Sequence, residues 1–171
     1  MENLQALRRW SALHGIAVVA ILNGKKIGTC DDFYFEPQTQ RIYALRVKTG
    51  LLGHKVMPVS SINTIGQDAI TLPNEGALRN ESDDARLTTL IPGEALRQYR
   101  VMSTGGTLVG TLRNVLLDTS TPNGLRVAAF ELSGGLREQL SGKYPTFPAS
   151  QVVSYGRDVL VIPDEVAQSL H

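Results

Sequence analysis

Residues 57–75 read MPVSSINTIGQDAITLPNE, and residues 147–165 read FPASQVVSYGRDVLVIPDE. Superposed without a gap, they share Pro58/Pro148, Ser60/Ser150, Gly66/Gly156, Asp68/Asp158, Pro73/Pro163 and Glu75/Glu165. The apolar positions between them also agree: Ile62 with Val152, Ile70 with Leu160, Leu72 with Ile162. An internal repeat sets architecture before any other reading, and here it predicts two units of roughly 75 residues. Units that small bury modest cores, so each is expected to pack on the other or on a second copy of the chain.

Outward from the repeat, strand signals recur in one order. The first unit reads Ile16–Leu22, a hairpin turn at Asn23-Gly24, Ile27–Phe35, a turn at 36–40 and Ile42–Lys48. A fourth strand runs from beyond Thr49-Gly50 to about Val59, then a helical turn over Ser60–Ile65 and a closing strand Ala69–Leu72. The second unit repeats this as Val101–Thr104, Val109–Asp118, Leu125–Leu132, Pro145–Ala149 and Val159–Ile162. Short strands punctuated by Gly, Pro and Asn predict a mainly β chain: two tandem small antiparallel barrels with short helical turns. Closure is favoured because an open small sheet leaves exposed edges. Leu4, Leu7, Trp10 and Leu13 predict an amphipathic helix over 3–13, capped by Asn3. The expected division is 1–75 for the first barrel with its leading helix, 76–92 for an acidic linker and 93–171 for the second barrel.

Composition narrows the chemistry. Hydrophobic residues at 42% and charged residues at 19% fit a soluble globular protein, and a net charge of +1 gives no bulk attraction for nucleic acid. One cysteine excludes an intramolecular disulfide and a cysteine-based zinc site. No apolar run approaches the roughly 20 residues of a membrane helix, so a cytoplasmic chain with no membrane insertion is expected.

The repeat also weighs individual residues. Cys30 corresponds to Leu112, which predicts core packing. Asp31 and Asp32 correspond to Arg113 and Asn114, and adjacent strand residues face opposite ways unless the strand bulges. Ser60 and Ser150 read as N-caps, and Gly105-Gly106 and Gly134-Gly135 as turns. His14, His54 and His171 have no metal-ligand spacing. No catalytic residue, metal or cofactor is expected. Arg8, Arg9, Lys25, Lys26 and Lys55 form a candidate basic patch. The connection 134–146 is about five residues longer than its counterpart, and its residues Leu136, Arg137, Leu140, Lys143 and Tyr144, with Phe147 just beyond, are candidate partner contacts. The competing expectation is that the apolar ones pack on the first unit.

Two motifs carry a family resemblance. Ile27-Gly28-Thr29-Cys30-Asp31-Asp32-Phe33-Tyr34-Phe35-Glu36 followed by Ile65-Gly66-Gln67-Asp68-Ala69-Ile70-Thr71-Leu72 resembles the PRC-barrel domain. Val109–Asp118 and Tyr155–Ile162 repeat it. That family includes the cytoplasmic part of the photosynthetic reaction-centre H subunit and the C-terminal domain of a ribosome maturation factor. The resemblance implies a small bacterial or archaeal β-barrel that binds proteins or assemblies and is not an enzyme. The expectation is therefore a non-enzymatic protein-interaction or assembly module, for a protein partner, a multi-subunit assembly or a homodimer. Alternatives are an RNA- or ribosome-associated binder and a small-molecule sensor, which would need a pocket between the two units.

Overall fold

The structure is a computed structural model and describes residues 7–133 and 141–170. Its first element is an arm, β1 (Leu7–Arg9) and helix α1 (Trp10–Leu13). The first copy follows as β2 (Ala17–Ala20), β3 (Lys25–Glu36), β4 (Arg41–Thr49), β5 (Gly53–Pro58), β6 (Thr64–Ile65) and β7 (Ala69–Leu72). After three 3-10 turns comes a second arm, β8 (Ile91–Pro92) and helix α2 (Gly93–Leu96). The second copy then runs β9 (Arg100–Ser103), β10 (Leu108–Asp118), β11 (Arg126–Ser133), β12 (Thr146–Pro148), β13 (Ser154–Tyr155) and β14 (Val159–Ile162), ending on α3 (Asp164–Ser169). The amphipathic helix expected over 3–13 is shorter than its periodicity suggests. Leu7–Arg9 is extended because it pairs with β10, and Asn3 lies outside the described residues.

The same pairings recur in each copy. Strand β3 lies antiparallel between β2 and β4, β5 lies on β4, and β7 runs parallel to β2. Strands β9, β10, β11, β12 and β14 repeat this arrangement. Even the irregularities coincide: the bulge between Cys30 and Asp32 reappears between Leu112 and Asn114. The motif glycines are explained by close backbone approach. A Cβ on Gly28 would collide with the carbonyl of Lys48, and one on its counterpart Gly110 would lie 3.0 Å from the carbonyl of Ser133.

The copies do not form two closed barrels. Pairing passes directly from β4 to β11 at Arg41↔Arg126, giving one open sheet of 14 strands. Ile42 donates to the Leu125 carbonyl (3.0 Å) and Val127 to that of Gln40 (2.9 Å), a reciprocal pair that places a pseudo-twofold axis between the copies. The arms obey the same symmetry by crossing over. The arm before the first copy pairs with the second copy's β10 (Arg8↔Leu117), and the arm before the second pairs with the first copy's β3 (Ile91↔Phe35). The edges of β3 and β10, which closure would have removed, are covered instead by the exchanged arms. One core results, running from Trp10, Phe33 and Phe35 through Phe130, Phe147 and Leu160.

Residues 76–92 are not a free linker. They form a strap over the outer face of the first sheet, where Leu87 and Leu90 pack with Tyr34, Ala44 and Val56 in a second, smaller core. Arg79 and Val56 exchange backbone hydrogen bonds of 2.8 Å, and the acidic residues are consumed locally: Tyr34 donates to Glu81 (3.1 Å) and Tyr43 to Asp84 (2.6 Å). The composition that suggested a linker serves tyrosine hydroxyls, while the Arg86 guanidinium lies over the Tyr43 ring and pairs with Glu36 of β3.

Candidate functional site

The bulge in β3 decides what the two adjacent aspartates can do. It turns Asp31 and Asp32 toward one cleft of ≈ 250 Å³, which they line with His14, Arg46, Glu94 and Arg97. Glu94 and Arg97 arrive on and just after α2, so the cleft exists only because the second arm crosses over. Asp31 accepts from both Arg46 nitrogens at 2.9 and 2.7 Å, and His54 Nε2 stands 3.5 Å away. Asp32 is 4% exposed; its Oδ2 accepts the Glu94 backbone N–H at 3.2 Å, while Oδ1 is buried without a hydrogen-bond partner. Its counterpart Asn114 does the same for the first arm, facing the Ser11 N–H at 3.4 Å and donating to the Ser11 hydroxyl at 2.9 Å. The pair Asp32 and Asn114 thus pins the exchanged arms.

Burial raises the Asp32 carboxyl above the ordinary carboxylate range, opposed by hydrogen bonds from the Phe33 and Glu94 amides and by Arg97 and Arg46. The folded state therefore holds this proton to higher pH than the unfolded chain, and stability falls as pH climbs through the raised value. Asp32→Asn should accordingly stabilise the protein at neutral pH, with the gain vanishing in acid. Melting curves at both pH values test this; a larger gain in acid would contradict it. Cys30, one residue before the pair, is 1% exposed, and burial pushes its thiol up to about 12, which leaves it protonated and inert.

The second copy carries the charge-inverted version of this cluster. Arg113, Glu131 and Tyr144 stand where the first copy has Asp31, Arg46 and His54. Glu131, 2% exposed, is held by Arg9 at 3.0 Å and Arg113 at 3.2 Å, and the Arg113 guanidinium stacks 3.8 Å over the Tyr144 ring.

The residues singled out in sequence separate accordingly. Phe147 is core, 1% exposed with its ring 5.6 Å from that of Phe130, so it is not presented to a partner. Its strand position faces inward, as does that of its counterpart Met57. Tyr144 is half-buried and Lys143 exposed, while Leu136, Arg137 and Leu140 lie outside the described residues. The basic patch is not assembled. Arg8 donates to the carbonyls of Gly66 and Gln67, before β7, and Arg9 serves Glu131 on the second copy. Lys25 and Lys26 stand on β3 opposite the other end of β2, where Lys25 meets Glu75 at 3.5 Å, and Lys55 bonds Asn80. Ser60 and Ser150 sit inside their turns; the N-caps are Pro58 and Pro148, with no side-chain cap bond.

Two features escaped the sequence reading. Leu51 and Leu52, assigned to the body of a strand, occupy the β4–β5 turn and are each 94% exposed. Their placement between Gly50 and Gly53 was the available signal. The second feature is the open outer edge of β12. In the first copy β5 exchanges hydrogen bonds with the strap through Val56; its counterpart Thr146 is exposed and pairs with Glu131 of β11, and among the described residues nothing pairs on its outer side.

Among the described residues no group of three or more His, Cys, Asp or Glu side chains is placed to hold a metal, and no helix is long and apolar enough to cross a membrane. A family model, PRC-barrel domain, matches residues 7–78, which span the first arm, the first copy and the start of the strap. No curated protein matches the chain.

Proposed function

We propose, from the premise that residues 7–78 belong to the PRC-barrel domain family, that the chain is a non-enzymatic protein-interaction module. The observation that carries this reading is the difference between the outer sheet faces. In the first copy the face is taken by the strap, an acidic segment of 3-10 turns that bridges to β5 at Val56. On the second copy the equivalent positions are Leu116, Ala129 and Thr146, bordered by Arg113, Lys143 and Tyr144. An extended acidic segment of a partner would add to β12 there as the strap bridges to β5, with main-chain bonds at Thr146 and the cations answering its charge. The cleft's carboxylates already serve Arg46 and the exchanged arm, which weighs against a sensor as the first choice.

Thr146→Pro removes the outward N–H from the edge while leaving the fold intact. Affinity purification from the native host should recover a defined protein complex with the parent chain and lose it with Thr146→Pro at unchanged melting temperature. Undiminished capture by this variant would rule out the edge as the docking site.

A further inference from the structure

The outer end of the first copy carries apolar side chains with nothing over them among the described residues. The β4–β5 turn displays Leu51 and Leu52, each 94% exposed, and the β2–β3 turn displays Ile21 at 54% and Leu22 at 79%. Both turns lie at one end of the sheet: β4 meets the second copy at Arg41 and β3 meets it through Phe35, and antiparallel pairing places Lys25 and Thr49 toward the opposite end. Exposed Lys25, Lys26 and Lys48 stand on the strand ends behind these turns, with Glu75 as the acid paired to Lys25. The second copy has no equivalent at its β9–β10 turn, which reads Thr104-Gly105-Gly106-Thr107.

We infer that this end docks on an anionic lipid surface, the leucines entering the interfacial layer and the lysines meeting headgroup phosphates. The display consists of two turns. A stable protein interface needs roughly 800 Å² from each partner with packed complementarity, more than two short turns present. A bilayer demands no matching shape: each apolar side chain that leaves water contributes on its own, and lysines held just behind add attraction to anionic lipid. Two leucines between glycines at a turn, backed by cations, fit that requirement. The docking is peripheral, through loop tips, and no segment spans the bilayer.

Sedimentation of the full chain with phosphatidylcholine vesicles, with and without phosphatidylglycerol, tests this. Binding is expected to the anionic vesicles alone and to weaken as salt rises. The double variant Leu51→Ser/Leu52→Ser should bind on the order of tenfold more weakly. The variant Lys25→Glu/Lys26→Glu should lose the preference for anionic lipid. Both change exposed positions and should melt as the parent does. The inference is overturned if the parent binds neither vesicle, if the leucine variant binds equally well, or if those leucines instead drive self-association in solution. The Thr146→Pro variant should still bind vesicles, so failure of the partner edge and failure of the lipid tip are told apart.

Discussion

Trp10→Ala is expected to destabilise the protein by about 3–5 kcal/mol, enough to unfold much of a marginally stable chain. Trp10 is fully buried, and its ring meets that of Phe33 edge-on at 4.9 Å. The energetic reason lies in the crossing. The Trp10 backbone belongs to the arm beside β10 of the second copy, yet its ring packs on β3 of the first. Removing it opens a cavity where both copies and both arms converge, and neither sheet can collapse into the gap alone. Thermal and urea unfolding measure the loss. Trp10→Phe, which keeps part of the ring, should recover a substantial share and keeps the test readable if the alanine variant does not fold. A shift of only a degree or two for Trp10→Ala would mean that the arm is not part of the cooperative unit.

Gly93→Ala should cost about 1–3 kcal/mol, although one methyl group is added and its helix propensity favours alanine. Gly93 is the pseudo-twofold counterpart of Trp10, so the same place in the two arms holds the largest side chain and none. A Cβ at Gly93 would lie 2.5 Å from Asp32 Oδ1 and 2.5 and 2.7 Å from carbons of the Phe33 ring. Both neighbours are buried, and moving Asp32 would break its bond to the Glu94 amide. The cost should appear as a lower melting temperature and as faster amide exchange of Glu94. A neutral or stabilising result would show that α2 seats loosely, and would remove the basis for treating the second arm as a fixed wall of the cleft.

Much of the strand order was legible because it rests on local signals. Asn23-Gly24 makes a tight turn whatever lies around it, and Gly28 and Gly110 mark places where backbone approaches too closely for a side chain. Cys30 could be assigned to the core because the repeat supplied Leu112 as its measure. The residues of the cleft were not legible. His14, Asp31, Arg46 and Arg97 lie far apart in sequence, and their meeting depends on which copy each arm joins. Acidic 76–92 read as linker because composition cannot distinguish a segment that solvates its charges from one that spends them on Tyr34 and Tyr43. Leu51 and Leu52 read as strand interior because alternation is silent about where a hairpin turns.

By itself the sequence determined a duplicated, mainly β chain with strands in the same order in both copies and a buried, packed thiol. These follow from backbone sterics and apolar periodicity, which act over a few residues. Only the tertiary structure decided that the copies share one open sheet, that the arms exchange, and that the strap closes one outer face while nothing among the described residues covers the edge at Thr146. The physical reason is that an arm finds the same kind of edge on either copy. The choice between them is settled by volumes and hydrogen bonds at distant positions: Trp10 on Phe33, and Gly93 and Glu94 on Asp32.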